Sequence, residues 1–178
     1  YSGRNEFGLK CDYKSLLRRI ILYFIEQKNT YVVLIPHVVP LDFEIENDLL
    51  ASRKLWELLS PDEREKVIVL DGKCDQNRIK YCVGLCTFFM GARMHSAIAA
   101  LSQSIPAVGM AYSKKFAGVF NILGVSDCVV NMLQIDENDI LHKIKRLHAE
   151  KELVKIQLEK IIPEIKMKVM SLLDHVEI

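Results

Sequence analysis

Residues 87–124, TFFMGARMHSAIAALSQSIPAVGMAYSKKFAGVFNILG, decide how the chain folds. The stretch reads as strand, tight turn, helix, strand, turn and helix. Thr87 to Met90 is a short apolar run closed by Gly91, Ala97, Ala99 and Ala100 mark a helix of small residues, and Ala107 to Ala111 forms a second apolar run. Arg93 and His95 stand at the mouth of that helix. A helix entrance offers free backbone N–H groups and the positive end of the helix dipole, and both favour an anion. A guanidinium and an imidazole in the same turn add to this, so the turn points to a phosphate or carboxylate ligand.

The same alternation extends outward in both directions. Tyr31 to Ile35 and Lys66 to Leu70 are continuous apolar runs bounded by turn residues, which predicts two earlier strands. Ser126 to Val130 predicts a fifth. The predicted strands are thus 31–35, 66–70, 87–90, 107–111 and 127–130. Helices are predicted from Asp12, which can cap the first, to Lys28, from Asp48 to Leu59 ahead of Ser60-Pro61, and from Asp75 to Leu85. Over 136–178 the pattern is helical and heavily charged, with Pro163 expected to split it into two helices ending near Asp174. Residues 1–11 read as a loop, and 38–47 as a connection whose acidic cluster (Asp42, Glu44, Glu46, with Asp48) reads as a solvated face.

Strands joined by helices call for a parallel sheet with helices on both faces. The predicted class is therefore α/β: a doubly wound, Rossmann-like parallel sheet of five or more strands. In such sheets ligands bind outside the carboxyl ends of the strands. Those ends carry His37, Asp71, Gly91 to His95, Tyr112 to Lys115, and Asn131. Plainer roles compete: His37 satisfying a loop carbonyl, Asp71 shaping a turn, Lys114 and Lys115 opening a helix towards water. Arg93 and His95 fit a ligand role better, since they project from a turn rather than along one helix face.

Composition sets the bounds. A chain of 178 residues, half of them apolar, can bury the core of a single domain, so 1–178 is read as one α/β domain. Lys plus Arg (24) against Asp plus Glu (23) leaves a net charge of +1, which excludes a strong general attraction to nucleic acid. No apolar run is long enough to span a bilayer, and a cytoplasmic protein is expected. The five cysteines (Cys11, Cys74, Cys82, Cys86, Cys128) follow no disulfide or zinc spacing and read as reduced, buried thiols. The opening Tyr1-Ser2-Gly3-Arg4 reads like the middle of a loop, so a longer parent protein is expected.

Gly91-Ala92-Arg93-Met94-His95, then Ala97 to Leu101, Ser104-Ile105-Pro106, and Ala111-Tyr112-Ser113 with Lys115 and Gly118, resemble the G-x-R-x-H…A-x-x-x-G-I-P…Y-x-x-K-x-x-G pattern of the polysaccharide pyruvyl transferases. His37 in LIPHV fits that family's strand ending. Two positions depart from the pattern: Ser104 stands where Gly is common, and Asn131 where Asp is frequent. The resemblance implies the C-terminal, donor-binding half of a two-domain, glycosyltransferase-B-like enzyme. It would move a pyruvyl group from phosphoenolpyruvate to sugar hydroxyls, forming a pyruvate ketal in exopolysaccharide or other cell-surface glycan biosynthesis. The resemblance implies catalytic roles for Arg93 and His95 and donor contacts from these two with Gly91, His37, Tyr112, Ser113 and Lys115. It implies no metal or organic cofactor. The partners implied are phosphoenolpyruvate, a free or lipid-linked saccharide acceptor and the enzyme's own N-terminal domain. From the residues alone two alternatives stay open: a nucleotide-sugar-dependent glycosyltransferase of the same architecture, and a non-catalytic anion-sensing module.

Overall fold

The computed structural model describes residues 8–39, 47–71, 74–113 and 115–173, with side chains to residue 171. Asp42, Glu44, Glu46, Gly72, Lys114 and the predicted helix end near Asp174 lie outside the described residues. The elements alternate as the apolar runs require: α1 (Tyr13–Ile25), β1 (Val32–Leu34), α2 (Asp48–Glu57), the short α3 (Pro61–Arg64), β2 (Val67–Val69), α4 (Gln76–Gly84), β3 (Phe89–Gly91), α5 (Met94–Leu101), β4 (Ala107–Ala111), α6 (Lys115–Ile122), β5 (Val129–Asn131), α7 (Glu137–Ala149) and α8 (Lys151–Leu173). Every strand pairing is parallel, so the predicted α/β class holds. The strands pair in two sets, β1 with β2 and β3-β4-β5 in that order.

Two compact units result: Tyr1–Ile79 with Met132–Leu141, and Lys80–Asn131 with His142–Ile178. In the first, Ile21 and Ile25 of α1 and Leu55 and Leu59 from α2 and its end enclose Val67 of β2. Asp12 caps α1 as expected, its carboxylate accepting from the N–H of Lys14 at 3.0 Å. Trp56 packs beside this core and donates its indole N–H to the Val67 carbonyl (3.1 Å), while the Arg64 guanidinium lies 4.5 Å above its ring. The later segment belongs to this unit through specific bonds. Lys10 N–H donates to the Met132 carbonyl at 3.1 Å, and Glu137 accepts from Ser15 Oγ (3.0 Å) and Arg19 (2.8 Å). One face of the β1–β2 pair is wet: Val33 and its register partner Ile68 are 39% and 52% exposed, where the sequence predicts cover on both sides.

The second unit is built on β4, whose five residues are all buried, as expected of a central strand flanked by parallel neighbours. Phe116 and Phe120 of α6 press on it so closely that a Cβ at Gly109 would stand 2.6 Å from Phe116 Cδ1 and 2.9 Å from Phe120 Cζ. Residues 126–128 form a 3₁₀ turn where the sequence predicts the start of a strand, so β5 begins two residues later than expected.

Two other expectations are corrected. Pro163 does not divide the C-terminal helices; the division falls at Glu150, and α8 continues through the proline. Pro163 withholds a donor from the Glu159 carbonyl, but both residues are exposed, and water can take the missing N–H's place. Of the five thiols only Cys128 is buried, and the other four are partly exposed.

Candidate functional site

In the three-stranded sheet Gly91 is level with Gly109, and Ala111 is level with Asn131. Parallel strands in this register end on one edge, so the turn after β3, the turn after β4 and Asn131 share it. That edge carries Gly91, Arg93, His95, Tyr112, Ser113 and Lys115.

The turn after β3 is shaped by close packing. Arg93 is the N-cap of α5 in extended backbone (φ −97°, ψ 125°). A guanidinium has no acceptor, and Arg93 makes no capping bond, so its side chain does not occupy the first-turn N–H groups of α5. Its carbonyl instead takes two donors, Ser96 Oγ at 2.7 Å and the Ala97 N–H at 3.3 Å. Ser96 is 8% exposed and lies against the strand end: a Cβ on Gly91 would meet its Oγ at 2.6 Å. Glycine is therefore needed at 91 for the helix entrance to fold back under the strand. Arg93 is half-buried and His95, one residue into the helix, is exposed. After β4, Tyr112 and Ser113 are half-buried and Lys115 opens α6 in solvent.

His37 belongs to the other unit, on the carboxyl side of β1. Its backbone N–H and that of Val38 both donate to Asp48 Oδ2, at 3.1 and 2.9 Å. The Asp48 N–H donates back to the Val38 carbonyl at 2.9 Å. His37 lines a cavity of about 140 Å³ together with Pro36, Val39, Leu49, Leu70, Cys74 and Ile79. Asp71 on the neighbouring strand end pairs with Arg53, which supports the plainer, structural role for it.

Asp48 and Ser96 are absent from the predicted site. Asp48 is the one member of the acidic cluster among the described residues, and it grips backbone rather than facing water. Ser96 carries no distinguishing signal, because one hydroxyl in a row of small residues reads as helix filler. Among the described residues no group of three or more His, Cys, Asp or Glu side chains is placed to hold a metal ion, and no helix is long and apolar enough to cross a membrane.

No curated protein and no solved structure matches the chain. The family model for polysaccharide pyruvyl transferase matches residues 2–114, well over half of the 178, and the matched span holds every site position above except Lys115 and Asn131. On that span, with the β3–α5 turn inside it, the chain belongs to the polysaccharide pyruvyl transferase family.

Proposed function

We propose that the chain is the donor-binding part of a cytoplasmic two-domain enzyme that transfers the pyruvyl group of phosphoenolpyruvate to two hydroxyls of a saccharide, leaving a pyruvate ketal. The observation that carries this is the β3–α5 turn: a cation at the N-cap of a helix whose first-turn N–H groups that cation does not cap. Family membership makes the protein a transferase of pyruvyl groups to saccharides in general, and the turn supplies chemistry for this donor.

Phosphoenolpyruvate presents a carboxylate and a phosphate. Arg93 can take one of them in two parallel hydrogen bonds, and the N–H groups of α5 favour the other. In the reaction one sugar oxygen bonds to C2 of the donor, a proton joins the methylene carbon to make a methyl, and the C2–O bond to phosphate breaks. The second sugar oxygen then bonds to C2. Of the two hydroxyl protons, one is balanced by the new methyl hydrogen and the other leaves with phosphate. His95 is exposed on the sheet edge, where an imidazole can serve as the general acid or base of these proton steps. Tyr112, Ser113 and Lys115 add hydrogen-bond donors on the same edge, and the resemblance adds His37, which lies in the other unit. No metal or organic cofactor takes part.

Titration calorimetry with phosphoenolpyruvate, set beside UDP- and GDP-sugars, tests the reading. Binding of phosphoenolpyruvate with no heat from the nucleotide sugars is expected; the opposite result would replace it with a glycosyltransferase.

A further inference from the structure

Asp48 opens α2, but the residue that caps that helix is its neighbour. This is Asn47, its side-chain oxygen accepting from the N–H groups of Leu49 and Leu50, each at 3.1 Å. Asp48 Oδ2 turns instead to the chain leaving β1, where it takes the N–H groups of His37 and Val38 at once. With the return bond from Asp48 N–H to the Val38 carbonyl, three hydrogen bonds tie residues 37–38 to the head of α2. One side-chain oxygen accepting two backbone N–H groups at once is strict about direction, because moving it breaks both bonds. The residues on either side of this tie, Pro36, His37 and Val39 on one strand of chain and Leu49 on the other, line the same 140 Å³ cavity.

From this geometry we infer that Asp48 is a positioning residue for donor binding: it fixes the backbone of His37 in the cavity wall. The inference rests on the reading that His37 meets phosphoenolpyruvate. Asp48 itself touches no substrate and exchanges no proton with it. Its oxygen holds the peptide from which the imidazole projects, so the dependence should follow the acceptor oxygen and not the charge.

The test uses the 178-residue chain with two readouts, phosphoenolpyruvate affinity by calorimetry and the NMR signals of the His37 imidazole. Asp48→Ala should displace the imidazole signals and weaken binding about tenfold, the loss expected from hydrogen bonds to a charged group. Asp48→Asn keeps an acceptor oxygen in place and should restore both to within about twofold. Asp48→Glu keeps the charge but moves the oxygen by one methylene; it should behave like the alanine variant and stands in for it if that variant does not fold. The double variant Asp48→Ala/His37→Ala should bind no more weakly than His37→Ala alone. Imidazole signals that stay put in the alanine or glutamate variant overturn the inference. So does a displaced imidazole with unchanged affinity while Arg93→Lys lowers affinity. If neither Arg93→Lys nor any change at 48 or 37 alters binding, the donor assignment itself is wrong and this role falls with it.

Discussion

Ser104 and Gly124 hold the same left-handed backbone conformation, φ 59° and 69°, just past the ends of α5 and α6. At each, the next residue reaches back five positions: Ile105 N–H donates to the Ala100 carbonyl at 3.1 Å and Val125 N–H to the Phe120 carbonyl at 2.9 Å. This is the Schellman closure, in which glycine is favoured because a Cβ crowds the following carbonyl. Ser104 carries that Cβ. The departure from the family's glycine is therefore a site of backbone strain. Ser104→Gly should raise stability by about 0.5–1 kcal/mol, the steric relief less the extra freedom of glycine when unfolded, and Gly124→Ala should lower it by about 1 kcal/mol. Urea denaturation of the two variants checks both signs.

Arg93→Lys keeps the positive charge but loses the planar fork. It should weaken phosphoenolpyruvate binding by about 1–3 kcal/mol and leave thermal stability within the scatter of a surface change. His95→Asn keeps a hydrogen-bonding group but removes the imidazole as general acid or base, and turnover should fall about 10²–10⁴-fold, more than binding does. Both variants binding and turning over like the parent would show the turn to be structural.

Gly109→Ala places a methyl against Phe116 and Phe120, where no space exists. The rings must shift or β4 must bend, at a cost of about 1–3 kcal/mol. Lys115 precedes Phe116 at the start of α6, so the same substitution should also lower phosphoenolpyruvate affinity. Phe116→Leu in the Gly109→Ala background should recover part of the stability, and a denaturation series on the three proteins reads this directly.

Burial, with Asp127 adding to it, pushes the Cys128 thiol from its ordinary value of 9.0 up to about 11. A group whose folded value is raised contributes its stability in full below the unfolded value and loses it as pH climbs through the folded one. Stability should therefore drop between about pH 9 and pH 11, and Cys128→Ala should flatten that part of the curve. Equilibrium unfolding across this range measures it.

The sequence made the five strands and most helix starts legible because each is a local signal: an apolar run between turn residues, or a cap such as Asp12 beside its own helix. The turn carrying Arg93 and His95 was legible for the same reason. What escaped depends on parts of the chain that meet only after folding. Asp48 reads as one more surface acid until residues 37 and 38 are seen to point their N–H groups at it. The splitting of the strands into two and three is decided by which edges meet, and the apolar runs do not differ in any way that encodes it. Pro163 misleads because the rule against proline in helices assumes a carbonyl cut off from water, whereas that of Glu159 lies on an exposed side.

Glu137 closes the unit that begins with α1, accepting from both Ser15 and Arg19. During synthesis α1 therefore leaves the ribosome long before its partner exists. At about 5–20 residues per second the interval is on the order of 10 s, far longer than a helix needs to form. Through that interval the β1–β2 pair has its first neighbours but not its last ones. Nascent chains just long enough to bring Glu137 out of the ribosomal exit tunnel, and chains just too short to do so, should differ in protease resistance of α1, making the order of translation a part of how this protein is assembled.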